Sequence, residues 1–265
     1  MKAMASKSSK RVSVRAKKSL GQNFLMHARI AERIAKAVRI EGETVLEIGP
    51  GTGVLTRELL KRAQKVVAVE ADPELYEALR EDFSDDIGAG RLELISGDIR
   101  AYPLTATNVY DRGYLVVANI PYYLTGEIFR LFLSSTNQPV SMTLLVQKEV
   151  AERIARSKKE SILSLSVKAY GVPKYEFTIP RGAFYPAPKV DSAVISVRDI
   201  SRGRFRFARE ESRFFAFLHA GFAHKRKLLR KNLVEAGFAA EAARVPEKAR
   251  AEDVPLEAWL KLVRL

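Results

Sequence analysis

Apolar positions along the chain follow two spacings. Ile30, Ile34, Ala37 and Val38 fall on one face of a helix, and the chain then switches to short apolar runs separated by helical ones. The runs TVLEIG (44–49), KVVAVE (65–70), RLELISGD (91–98), YLVVANI (114–120) and SMTLLVQ (141–147) are mostly continuous rather than alternating. That is the pattern of strands covered on both faces, and with helical crossovers between them it predicts a parallel sheet. VLTRELLKRAQ (54–64) reads as the first crossover helix. The next opens at Asp72-Pro73-Glu74, which offers an N-cap, a proline at the first helical position and an acid near the positive helix end. Beyond Tyr170, KYEFTIP (174–180) and SAVISVRD (192–199) lie close together and predict an antiparallel edge. The sum is a doubly wound α/β domain over residues 17–200, with a mostly parallel, seven-stranded sheet.

The pattern changes again after Asp199. ISRGRFRFARE (200–210) reads as a basic linker, and the remaining chain has helical period: Phe214, Phe215, Phe217, Leu218 and Phe222 within 211–222, then a helix over 225–237 ending at Gly237. A last helix begins near Asp253 and Pro255 and carries Trp259, Leu260 and Val263. Residues 201–265 are therefore expected to form a small helical domain, and residues 1–16 a basic, flexible tail. An organellar transit peptide is the other reading of that Ser-rich, acid-free stretch.

Charge sharpens this division. The 265 residues carry 45 Lys and Arg against 31 Asp and Glu, a net +14, with 47% hydrophobic residues, enough for a sizeable core. Residues 1–20 hold seven basic and no acidic side chains, residues 21–197 hold 22 of each, and residues 198–265 hold 16 basic against nine acidic. A neutral body between two flanks of +7 is suited to a polyanion, with nucleic acid ahead of an anionic membrane surface. The absence of cysteine excludes disulfides, thiolate metal sites and a cysteine nucleophile, and agrees with a reducing compartment. His27, His219 and His224 are scattered and suggest no metal site. No apolar run approaches the roughly 18 residues of a membrane span, so a soluble, cytoplasmic protein is expected.

In a doubly wound sheet ligands bind at the carboxyl ends of the strands. The first such end reads Glu47-Ile48-Gly49-Pro50-Gly51-Thr52-Gly53, with glycines at two-residue spacing that let the backbone approach a ligand. A dinucleotide fingerprint would need glycine at 54, where Val54 stands, which weakens that reading. Strand two ends at Glu70, placed to accept from both hydroxyls of a ribose, and strand three at Asp98, placed to accept from an adenine amino group. The ordered set points to S-adenosylmethionine (SAM). Strand four ends in Asn119-Ile120-Pro121-Tyr122. The Asn119 side-chain oxygen and the Ile120 carbonyl could accept both hydrogens of an exocyclic base amine. That would favour a more pyramidal nitrogen whose lone pair points at the sulfonium methyl, with Tyr122 stacked on the base.

With these residues in place, the sequence resembles a known family. KKSLGQNFL (17–25), EIGPGTG (47–53), NIPYYLTG (119–126), LLVQKEVAERI (144–154) and FYPAPKVDSAV (184–194) are similar, in order, to the small-subunit rRNA adenine dimethyltransferases of the KsgA type, and HKRKLLRKNL (224–233) extends the likeness. The resemblance implies a Rossmann-like SAM-dependent methyltransferase domain. Gln22, Asn23 and Leu25 would help close the SAM pocket, and Gly49, Gly51, Gly53, Glu70, Asp98 and Asn119 would bind the cofactor. Asn119, Ile120, Pro121 and Tyr122 would hold the target adenine, and Phe184 would stack on its other face, a sandwich that offsets the cost of extruding the base. It also implies two adjacent adenosines near the 3′ end of small-subunit rRNA, each dimethylated at N6 within a pre-ribosomal particle, by a monomer without a metal. Tyr123 departs from the pattern, since many members carry Asn there.

Lys225, Arg226, Lys227, Arg230 and Lys231 are the candidate phosphate contacts, and neutralising Lys227 or Arg230 is expected to weaken RNA binding. The rival readings are a large-subunit rRNA adenine dimethyltransferase, a ribosome-assembly or mitochondrial transcription factor on the same fold, and, more weakly, a protein glutamine methyltransferase.

Overall fold

The computed structural model describes residues 16–17, 20–102 and 113–264, so the tail and transit-peptide readings lie outside the described residues. A two-residue strand β1 (Phe24–Leu25) precedes helix α1 (Ala28–Ala37). Then come β2 (Thr44–Ile48), α2 (Val54–Leu60), β3 (Lys65–Glu70), α3 (Pro73–Asp82), α4 (Ser84–Gly88) and β4 (Leu92–Ser96). Next are β5 (Leu115–Asn119), a 3-10 turn (Tyr122–Leu124), α5 (Thr125–Leu133), β6 (Ser141–Gln147), α6 (Lys148–Ala155), α7 (Ile162–Tyr170), β7 (Val172–Ile179), β8 (Phe184–Tyr185) and β9 (Ser192–Arg198). Helices α8 (Ala208–Gly221), α9 (Leu229–Glu235), α10 (Ala239–Ala242) and α11 (Leu256–Val263) complete the chain.

Seven strands form one sheet in the order β4-β3-β2-β5-β6-β9-β7. The first five are parallel, and β9 pairs antiparallel with both β6 and β7, so the antiparallel edge expected from the sequence is present, with β7 outermost. Successive residues of each central strand face opposite layers. Val45, Val66 and Leu115 join α1 and α2 in one hydrophobic cluster, whereas Leu46, Val67 and Val116 join α5, α7 and the C-terminal helices in the other. Because β2 is flanked by β3 on one side and β5 on the other, the strand order reverses between β2 and β5. A crevice opens there at the carboxyl ends.

Asp72 caps α3 as its sequence predicts, accepting from the Glu74 amide. Three expectations need correction. Helix α2 stops at Leu60, where the Arg62 amide tightens onto the Leu59 carbonyl three residues back and the Gln64 amide leaves the helix for the Glu43 carbonyl to enter β3. The basic linker is in part core: Phe205 is buried against Tyr170 and Phe214, with ring centroids 5.7 and 5.5 Å away, and Arg202 donates to the Ser134 and Ser135 carbonyls and to Glu211. The helix expected from residue 225 begins only at Leu229. Like charges within one helical turn repel, and buried Asn232 instead ties the preceding segment into a turn by donating to the Gly221 and His224 carbonyls.

Candidate active site

The cleft at the switch point contains about 1070 Å³ of empty space, part of it open to solvent. Its walls come from the Gly49–Gly53 turn, the ends of β3, β4 and β5, the 3-10 turn and residues 20–25. The turn needs its glycines: Gly49, Gly51 and Gly53 all have left-handed φ, at 64°, 61° and 73°. A Cβ on Gly53 would come within 2.6 Å of the Phe83 ring, so only glycine lets α2 start this close to α3.

Glu70 organises this floor. Its Oε2 accepts from the Gly51 amide at 3.0 Å and its Oε1 from the Asp72 amide at 2.9 Å, while burial raises its pKa against the pull of those two bonds. Both oxygens that the sequence assigns to a ribose thus also hold the two loops that frame the cleft. Asp98 follows β4 and is fully engaged by Arg100, through its amide at 2.9 Å and through Nε and Nη2 of the guanidinium, which holds the carboxyl below its usual range.

Residues 17–25 close one side. Gln22 Oε1 accepts from the Lys17 amide at 2.7 Å, its Nε2 donates to Asp72 at 2.9 Å, and Lys17 Nζ lies 2.7 Å from the same carboxylate. The Gln22 side chain is therefore a tether. Leu25 is buried on the cleft wall. Asn23 Nδ2 donates to the Gly21 carbonyl, and the Asn23 carbonyl accepts from Asn119 Nδ2 at 3.1 Å. With its nitrogen committed there, the Asn119 amide keeps its oxygen as a free acceptor at the end of β5.

Ile120, Pro121 and Tyr122 line the same cleft, and the Tyr122 hydroxyl shares a 2.6 Å hydrogen bond with Ser192 Oγ on β9. Phe184 is not on the cleft wall: it is 4% exposed, pairs with Leu25 across the two-stranded β1–β8 sheet and packs in a hydrophobic cluster that Tyr122 borders. A stacking role requires more of its face than this arrangement exposes.

Glu47, the first residue of the glycine-rich motif, has no role in the sequence reading, yet it lies on the cleft wall, 1% exposed, with its Oε2 lacking any hydrogen-bond partner. Burial pushes its pKa to about 8, with the Thr56 hydroxyl pulling it down and Glu70 pushing it up. The available signal was an acid inside an otherwise apolar buried strand, where charge is expensive unless a ligand uses it.

Of the five candidate phosphate contacts, Lys225, Arg226 and Lys231 are exposed; among the described residues none of their side chains has a hydrogen bond or ion pair, and Lys231 lies near enough to Glu235 to act on its carboxyl. Lys227 is engaged by Glu235 at 2.9 Å, and Arg230 donates to the Ala243 carbonyl. Among the described residues no cluster of three or more His, Cys, Asp or Glu could hold a metal ion, and no helix is long and apolar enough to cross a membrane.

A family model described as ribosomal RNA adenine dimethylase matches residues 13–265. The chain is 39% identical over 259 residues to the ribosomal RNA small subunit methyltransferase A of Dehalococcoides mccartyi (strain CBDB1), covering 94% of this chain and 88% of that one. It is 36% identical over 262 residues to the protein of the same name from Fusobacterium nucleatum, covering 94% and 97%. Among solved structures, the 23S rRNA methyltransferase ErmE matches with a TM-score of 0.73 at 27% identity, over 91% of this chain and 98% of that one. A dimethyladenosine transferase from Plasmodium falciparum shares the fold, with a TM-score of 0.75 at 24% identity over 90% and 95%.

Proposed function

The chain belongs to the ribosomal RNA adenine dimethylases and is a SAM-dependent rRNA adenine dimethyltransferase, and from that premise we propose that it dimethylates N6 of two adjacent adenosines near the 3′ end of small-subunit rRNA, within a pre-ribosomal particle in the cytoplasm and as a monomer without a metal. The names of its relatives support the small subunit, while the likeness to ErmE makes the large subunit the reading to test against.

The cleft suits the cofactor. A turn with no Cβ at Gly49, Gly51 and Gly53 and a buried carboxyl oxygen without a donor are what a nucleoside carrying a cationic amino-acid tail would use. Gly49, Gly51, Glu70 and Asp98 would hold it, with Glu47 facing its positive charge. When bound, SAM supplies an electrophilic methyl group on a sulfonium. Engaging the adenine of SAM would require Asp98 to share or give up its bonds to Arg100. Arg100→Ala is therefore expected to tighten SAM binding about two- to fivefold, the worth of a half-exposed ion pair, as read by calorimetric titration.

One observation carries the target-base reading: Asn119 is turned by its bond to the Asn23 carbonyl so that its oxygen is left to accept. With the Ile120 carbonyl it would take both amino hydrogens of a flipped adenine and direct the nitrogen lone pair at the methyl, while Tyr122, anchored by Ser192, stacks on the ring. No strong base is needed, because the nitrogen loses its proton readily once it carries the new methyl. Positioning of this kind can supply roughly 7 to 11 kcal/mol of the barrier. A pocket serving two rounds must accept a base already carrying one methyl.

The test is transfer of labelled methyl from SAM to undermethylated small and large subunits, followed by digestion to nucleosides. Dimethyladenosine at adjacent 3′ adenines of the small subunit supports the proposal, and label confined to large-subunit RNA overturns it. For the RNA surface, replacing Lys225, Arg226 and Lys231 together by alanine should lower the slope of log binding constant against log salt by roughly two units. Lys227→Ala alone should change it less, because Glu235 already holds that charge. An unchanged slope in the triple variant would place the phosphate contacts elsewhere.

A further inference from the structure

Tyr122 and Tyr123 are consecutive, yet their surroundings are opposite. Both lie in the 3-10 turn Tyr122–Leu124, where successive side chains point about 120° apart around the axis. Tyr122 is half-buried and its hydroxyl is bound to Ser192. Tyr123 is 64% exposed although it also lines the cleft.

The exposed ring is nonetheless seated. A Cβ placed on Gly21 would lie 2.9 Å from Tyr123 Cε1 and 3.2 Å from Cδ1, and Pro121 Cβ would be 3.4 Å from it. Gly21 has φ of +62° and carries no side chain, so the ring rests directly on its backbone while most of its surface meets solvent. Arg100 lies on the same rim, close enough to Tyr123 for the two to interact electrostatically. An aromatic ring held in place at the mouth of a cleft, beside a cation, is suited to an unpaired nucleobase, because every base offers a π-face.

A polymeric substrate dictates which group passes over that rim. If one adenosine is extruded into the cleft at Tyr122, its neighbour in the RNA must cross the mouth, and it has just lost a stacking partner. We propose that Tyr123 is the platform on which the unpaired nucleotide next to the target adenosine stacks, a subsite that positions RNA without touching the reacting atoms. This rests on the reading of Asn119 and Tyr122 as the target-base site.

The experiment measures steady-state methylation of undermethylated small subunits by Tyr123→Ala, Tyr123→Phe and Tyr123→Asn, with SAM affinity and thermal stability recorded for each. A lost stacking contact is worth on the order of tenfold. The expected result is a KM for subunits raised about that much in the Ala and Asn variants, with kcat within twofold, SAM affinity unchanged, and wild-type behaviour in the Phe variant. A second arm uses subunits reconstituted with an abasic nucleotide beside the target adenosine. Wild type should lose the same factor on them, and Tyr123→Ala should lose nothing further. A KM for Tyr123→Ala within twofold of wild type overturns the proposal, as does a Phe variant as impaired as Ala, or an abasic penalty that persists undiminished in Tyr123→Ala. Failure of the target-base reading has a different signature, since it would appear as retained activity in Asn119→Ala.

Discussion

Asn119→Ala should reduce methyl transfer to adenosine by on the order of 10²-fold or more, the scale on which a preorganised polar contact to the reacting group contributes. The side-chain amide does two things at once. Its nitrogen donates to the Asn23 carbonyl, which ties residues 20–25 to the end of β5, and its oxygen, on the proposed reading, would accept from the substrate amine. Alanine removes both. An aspartate at this position would keep an acceptor but set a carboxylate against the Asn23 carbonyl, so Asn119→Asp is expected to be nearly as inactive. The measurement is single-turnover transfer at saturating SAM and subunits, with product nucleosides separated into monomethyl- and dimethyladenosine. If Asn119→Ala keeps more than a tenth of the wild-type rate, the amide is not the group that orients the amine.

The same residue shows how far the sequence could be read. Strand patterning located every strand of the large sheet, because its buried strands are written largely as apolar runs, and the ends of the β2, β3, β4 and β5 runs fall close to candidate site residues. Glu70 and Asn119 are the last residues of their strands, as expected. What escaped were features created by contacts distant in sequence. The β1–β8 pair joins Phe24 to Tyr185 through two-residue strands too short to carry a period. The start of α9 depends on Asn232 reaching back to Gly221 and His224, so the cations at 225–227 read as helical when taken alone. Lys17 and Gln22 gripping Asp72 across at least fifty positions leave no local trace. Phe184 illustrates the converse: a motif can identify a residue while burial in the folded chain decides how much of it is available.

Glu47→Gln is expected to stabilise the free protein and weaken its hold on SAM. The Glu47 carboxyl has a folded-state pKa of about 8 against an ordinary value of 4.5, so the fold prefers it protonated. Below about pH 4.5 it is neutral in both states and contributes nothing. As pH rises through the interval the unfolded chain gains a carboxylate that the folded one resists, and stability falls until the folded group also ionises near pH 8. At pH 7 the accumulated cost is about 3 kcal/mol, from about 1.4 kcal/mol per pKa unit. Glutamine has the same shape and does not titrate, so the variant should match wild type near pH 4.5 and exceed it increasingly toward pH 8. Near neutrality the difference in Tm would be on the order of 5 to 10 °C for a chain of this size. Thermal unfolding across that range measures it, and a stability difference that does not vary with pH would mean that Glu47 is not held neutral. Saturating SAM should narrow the gap, because a cationic ligand restores the ionised carboxyl and binds wild type more tightly than the variant. On that outcome, the carboxylate that destabilises the fold would be the one that holds the cofactor's positive charge.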